Sequence, residues 1–138
     1  MQTRKQTPIP RGIRNNNPLN IRIGNVWLGE VSEPTDQHFE QFISMVYGVR
    51  AGFVLIRRYI KHYHRNTVRA IIQSWAPPSE NNTDAYIAKV STMIGIADNT
   101  PIQYEDSHLV CRLVAAMIMW ECGQPIDMKI IEKAYTMA

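Results

Sequence analysis

Leu113-Val114-Ala115-Ala116-Met117-Ile118-Met119-Trp120-Glu121-Cys122-Gly123 is the end of the most apolar helical stretch of the chain, and it carries a single carboxylate. Gly123 suits the left-handed residue that stops a helix, which puts Glu121 in the last turn, where unsatisfied carbonyls carry partial negative charge. An ionised carboxylate is disfavoured there, and Met117, Ile118 and Trp120 add apolar surroundings. Both effects raise its pKa toward what a general acid needs near neutral pH. The alternative for Glu121 is an ordinary surface glutamate facing water or paired with Lys129 or Lys133.

Outward from that helix, 138 residues of which 45% are hydrophobic suit one domain with a real core. The basic, proline-punctuated segment 1–10 reads as a flexible arm, and 11–138 as the single domain. No apolar run approaches the roughly 20 residues that cross a bilayer, and Met1-Gln2-Thr3-Arg4-Lys5-Gln6 is followed by prolines, unlike a signal peptide. Cys111 and Cys122 fall on one helix about 16 Å apart along its axis, too far to bridge. With no Cys-x-x-Cys and with His62 and His64 pointing apart on a helix, no metal site and no cofactor is expected. The formal charge of +3 gives a mild anion preference. Its arginines and lysines are not interleaved with aromatics, so nucleic acid is the least favoured partner, behind a solvated basic face or attraction to an anionic wall polymer.

The pattern predicts a mainly α (α+β) domain. Asn15-Asn16-Asn17-Pro18 signals a turn, and Leu19–Ile23 and Val26–Leu28 read as strands of a small β-hairpin turning on Gly24-Asn25. Helices are expected over about 46–64, from a cap at Asn66 or Thr67 to Trp75 before Pro77-Pro78, after Asn81-Asn82-Thr83, over about 105–122, and over 127–135.

Several motifs together resemble a known group. Arg11-Gly12-Ile13-Arg14-Asn15-Asn16-Asn17-Pro18-x-Asn20-Ile21, Trp27-x-Gly29, Phe39-x-x-Phe42, Gly48-x-Arg50-Ala51 and Trp75-Ala76-Pro77-Pro78-x-Glu80-Asn81-x-Thr83-x-x-Tyr86 are similar to phage and prophage proteins often described as virion structural proteins. The Asn-Pro-x-Asn-Ile turn with Trp-x-Gly and Phe-x-x-Phe also resembles the β lobe of bacterial glucosaminidase and muramidase domains, where it follows a helix ending in the catalytic glutamate. Here the helix resembling that one, ending in Trp120-Glu121-Cys122-Gly123, comes last. The resemblance therefore implies a circularly permuted lysozyme-like fold, with a cleft built from both ends of the chain. Tyr86 and Val90 resemble the Tyr-x-x-x-Val of lytic transglycosylases. Cys122 departs from the asparagine or serine expected after the glutamate.

That resemblance implies cleavage of peptidoglycan glycan strands, through protonation of the leaving oxygen in an oxocarbenium-like transition state, with Glu121 as the acid. A muramidase needs a second carboxylate about 5 to 9 Å away, for which Glu30, Asp36, Glu40 and Glu80 are available. A lytic transglycosylase works with one glutamate, because the sugar's own 6-hydroxyl closes on the anomeric carbon. Tyr86, Trp27, Asn20 and Trp75 are the candidate substrate-binding residues. Trp27 and Trp75 serve equally as core anchors, and Asn17 and Asn20 as turn-holding side chains. A virion or the bacterial cytoplasm before release, with action on the cell wall and with other virion proteins as further partners, fits this reading. A catalytically silent virion component with the same fold is its rival.

Overall fold

The computed structural model describes residues 8–79 and 81–138. Segment 1–7 of the expected arm and Glu80 lie outside the described residues. From Pro10 the chain enters a single helical turn, α1 (Arg11–Arg14), and continues through an irregular lobe into α2 (Met45–Lys61), α3 (Val68–Trp75), α4 (Thr83–Ile94), α5 (Ser107–Cys122) and α6 (Met128–Met137).

The sequence sets the starts of α3, α4, α5 and α6 through side chains that accept from free N–H groups of the first turn. Thr67 Oγ1 accepts from Ala70 N at 3.1 Å, and Asn82 Oδ1 from Ala85 N at 3.3 Å. Asp106 Oδ1 accepts from Leu109 N at 3.3 Å, and Asp127 Oδ1 from Lys129 N at 3.0 Å. Gly123 closes α5 at φ 69°, the left-handed conformation expected of it. α5 is buried over most of its circumference, Val110, Leu113, Val114, Met117 and Ile118 being wholly inaccessible, and that explains its nearly unbroken apolar sequence. It packs on α4 and α6 and touches α1, while α2 lies along α6 and α3 along α4. Cys111 and Cys122 are buried free thiols.

The small β element differs from the expected hairpin. Leu19–Ile23 and Val26–Leu28 do not pair with each other; both flanks pair instead with 38–43, through antiparallel bridges Arg22 to Phe39 and Glu30 to Phe42. Ile23 N donates to His38 O at 3.0 Å, Glu40 N to Ile21 O at 2.9 Å and Ile43 N to Gly29 O at 2.8 Å. The physical reason lies in the turn. A two-residue type I′ hairpin needs positive φ at both central residues, and neither Gly24 nor Asn25 adopts it, whereas Gly29 does, at φ 81°. The excursion between the bridges buries Trp27 and leaves Val26 and Leu28 in solvent.

The lobe is held together by its asparagines. Asn17, wholly buried, donates to Ile21 O at 2.9 Å and Glu40 O at 3.0 Å and accepts from Ile21 N at 3.0 Å. Asn16, left-handed at φ 52°, donates to Phe42 O at 3.0 Å. Asn15 donates to Asp36 Oδ2 at 3.0 Å, and Asp36 also receives both Arg11 contacts, at 2.6 and 2.7 Å. These bonds hold the Asp36 carboxyl well below the ordinary carboxylate range, the Arg11 guanidinium contributing most.

Candidate functional site

Glu121 is brought against residues a hundred positions away. Asn20 Nδ2 donates to Glu121 Oε1 at 3.0 Å, and Cys122 Sγ contacts Pro18 O at 3.1 Å, so the end of α5 is sewn to the loop after α1. Asn20 reaches the carboxyl because its own backbone is left-handed, at φ 53°. α1 stands close enough to require glycine at its second position. A Cβ on Gly12 would lie 2.8 Å from Cys122 Sγ and 2.9 Å from Asn20 Oδ1. Neither Lys129 nor Lys133 forms an ion pair with Glu121 among the described residues.

The carboxyl is largely withdrawn from water, and burial raises its pKa above the ordinary glutamate value. The Asn20 amide and then the Tyr86 hydroxyl oppose that rise by favouring the carboxylate. Tyr86 itself is wholly buried, its ring stacked on Trp120 with centroids 4.9 Å apart. Its hydroxyl is near enough to the carboxyl to polarise it, yet makes no hydrogen bond of ordinary geometry. Burial first, and the neighbouring carboxylate second, push the phenol well above its usual range.

Glu121 opens into a cleft of about 340 Å³. Asn20, Arg22 and Phe39 line it from the lobe, and Ser74, Trp75, Pro77 and Asn81 from the end of α3 and the following loop. Trp75 both forms cleft wall and braces the fold, donating from Nε1 to Leu19 O at 3.1 Å and meeting Tyr59 edge-on at 6.4 Å. The motif after it is held by its own hydrogen bonds, from Thr83 Oγ1 to Ala76 O and from Asn81 Nδ2 to Pro77 O.

Of the sequence candidates, Glu121, Asn20, Tyr86 and Trp75 therefore come together. Trp27 does not line this cleft. It is buried in the lobe, with Arg58 lying 5.8 Å from its ring centroid, and serves as the anchor. Glu30 and Glu40 are also absent from the cleft lining. Glu30 Oε1 accepts from Trp27 N at 2.9 Å, and Glu40 is buried beside Glu30. Asp36 is committed to Arg11 and borders a separate pocket with Arg14 and Gln41. Arg22, Phe39, Ser74 and Asn81 are cleft residues that sequence reasoning missed. Phe39 and Asn81 carried a signal, as parts of Phe39-x-x-Phe42 and of the motif that runs from Trp75 to Tyr86. No group of three or more His, Cys, Asp or Glu side chains that could hold a metal occurs among the described residues, and none of their helices is long and apolar enough to cross a membrane.

The Glu40–Glu30 pair makes its own prediction. Burial, then the neighbouring Glu30, lift the Glu40 pKa from 4.5 to about 7. Because the folded value exceeds the unfolded one, the protonated form's stabilisation is complete below about pH 4.5 and is lost as pH rises through about 7. The melting temperature is expected to fall between pH 5 and 8 by an amount that Glu40→Gln removes. Parallel curves for the two proteins across that range would contradict this account.

No family model matches the chain. Over 130 residues it is 38% identical to Protein P5 of Pseudoalteromonas phage PM2, an alignment covering 91% of this chain and 79% of the relative.

Proposed function

For a chain that belongs to the family of the phage PM2 Protein P5, we propose cleavage of peptidoglycan glycan strands, with Glu121 as general acid and then base, on a lysozyme-like fold in permuted order. The observation that carries this reading is the Glu121 carboxyl itself: largely buried, raised in pKa, held by Asn20 at 3.0 Å and opening into a cleft. An acid kept protonated toward neutral pH can protonate the glycosidic oxygen as the bond to the anomeric carbon breaks. Permuted order is supported by the junction of Asn20 and Pro18 with Glu121 and Cys122, which assembles the cleft from both ends of the described chain.

Between the two reaction types, the lining favours the lytic transglycosylase. Glu121 is the sole carboxylate lining the cleft among the described residues, and a hydrolase of the usual kinds needs two. After giving up its proton, the Glu121 carboxylate would take the proton of the sugar's 6-hydroxyl as that oxygen closes on the anomeric carbon, leaving a 1,6-anhydro end. The Asn20 amide steadies the carboxylate during this half of the cycle. Packaging in a virion, with other virion proteins as neighbours, belongs to the same proposal.

Digestion of purified peptidoglycan by the wild-type chain and by Glu121→Gln, with products weighed by mass spectrometry, tests it. Anhydromuramyl products that vanish in the variant are expected. Reducing muramyl ends would overturn the transglycosylase assignment and require a second carboxylate. No release from folded wild-type protein, across several wall types, would overturn the enzyme and leave a silent virion component.

A further inference from the structure

We propose that this protein docks on anionic lipid bilayers through an aliphatic knob beside α6. Val26, Leu28 and Ile43 enter the acyl region, and Lys129 and Lys133 meet the headgroup phosphates. The inference is independent of the glycan reading of Glu121, whose cleft shares no lining residue with this surface. Aliphatic side chains favour burial, so a cluster of them left in solvent marks a surface that something else covers. Val26 is 95% exposed, Leu28 58% and Ile43 61%. The excursion between the two bridges carries the first two, and the 2.8 Å bond from Ile43 N to Gly29 O sets the third beside them.

The knob runs on into a hollow of about 370 Å³ between the start of α2 and α6, lined by Met45, Val46 and Ile130 and by Lys129 and Lys133. The connection is close, because a Cβ on Gly29 would lie 2.3 Å from Cγ of Tyr47 in the first turn of α2. Lys129 and Lys133 stand four positions apart, which puts them on one face of α6. Neither side chain forms an ion pair or hydrogen bond among the described residues, so both charges are available to a partner. Composition decides what that partner is. Protein interfaces draw their energy from Trp, Tyr and Arg anchors and are depleted in lysine. Here the exposed apolar side chains are aliphatic, Trp27 is turned into the lobe, and the cations are lysines. Lysine stems lie along apolar surface and carry the ammonium to phosphate, the arrangement that suits a bilayer interface. With Val26 standing almost wholly clear of protein, insertion among acyl chains requires no rearrangement of the lobe. The depth involved is that of an interfacial anchor, which asks for no membrane-crossing helix.

The test is co-sedimentation at low salt with sucrose-loaded vesicles, of phosphatidylcholine alone and of phosphatidylcholine mixed with phosphatidylglycerol. Wild-type protein is expected to bind the anionic vesicles and to be released as salt is raised. Lys129→Gln with Lys133→Gln is expected to weaken that binding about thirtyfold, equivalent to ~2 kcal/mol. Val26→Ser with Leu28→Ser is expected to weaken it about tenfold, and Lys89→Gln, on the exposed side of α4, to leave it unchanged. All five positions are exposed, so the variants are expected to keep the wild-type melting temperature. A folded wild type that ignores anionic vesicles overturns the proposal. Binding that Lys89→Gln weakens as much as the lysine pair overturns it too, because that is the unspecific attraction of a basic protein. Loss through the lysines with none through Val26 and Leu28 overturns insertion of the knob. Self-association of the wild type without lipid, abolished by Val26→Ser with Leu28→Ser, would assign the knob to a second copy and overturn the bilayer as its partner.

Discussion

Gly48→Ala is expected to shift the urea midpoint strongly downward, a loss at or beyond the upper end of the roughly 1–3 kcal/mol typical of overpacking. A Cβ at Gly48 would lie 1.8 Å from the carbonyl oxygen of Asn16 and 2.9 Å from its carbon. Both are backbone atoms, so no side-chain rotation relieves the clash. Asn16 cannot retreat cheaply either. It is held left-handed at φ 52°, its side chain donates to Phe42 O at 3.0 Å, and Phe42 N donates to Asn15 O at 2.9 Å. Moving α2 away instead opens the core where Val49, Ala51 and Phe53 are wholly buried. Gly24→Ala serves as the matched control, because nothing lies within 4 Å of its added Cβ and its φ is not positive. That control is expected to change stability by less than about 0.5 kcal/mol. Equal midpoints for the two variants would refute the close approach of α2 to the asparagine loop. Because that loop also carries Asn20, a Gly48→Ala protein that still folds should show weakened Asn20–Glu121 geometry as well.

That clash shows what the sequence conveyed and what it withheld. Helix starts were legible because capping is local chemistry. Thr67 and Asn82 sit where their side chains reach backbone N–H groups three residues on, and Gly123 stops α5 in the conformation its lack of a side chain permits. The α1 turn was hidden under a run of turn-forming asparagines, and the hairpin was misplaced because Gly24-Asn25 has turn composition without turn dihedrals. Which strand-like segments pair is decided by the burial of Trp27 and the hydrogen bonds of Asn17, neither of which depends on the two residues at the presumed turn. Glu121 could be singled out from its place at the end of an apolar helix. Its partner Asn20 is 101 positions away, a contact no spacing rule reaches and only the resemblance implied. Gly48 and Gly12 stood in the quoted motifs without a reason, and close backbone approach now supplies one.

Glu121→Gln is expected to lower the rate of glycan cleavage by about 10²–10⁴-fold with little change in melting temperature, the range spanned by general acid–base catalysis. Glutamine retains the shape and an oxygen that can accept the Asn20 N–H, so the fold and the bound strand are preserved while the transferable proton is lost. The pH profile separates this role from mere structural support. The acid must be protonated to act, so kcat/KM falls on the alkaline side as pH passes the Glu121 pKa, which burial has raised. Asn20 and Tyr86 both hold that pKa down by favouring the carboxylate, so Asn20→Ala and Tyr86→Phe are each expected to move the alkaline limb to higher pH. The two differ in stability. Asn20→Ala removes a hydrogen bond between the ends of the described chain and should lower the melting temperature. Tyr86→Phe keeps the ring against Trp120 and removes only the hydroxyl's weaker hold on the carboxylate, so its melting temperature should fall less than that of Asn20→Ala. An alkaline limb that stays fixed in both variants would mean that the titrating group is not Glu121, whatever the rate lost in Glu121→Gln.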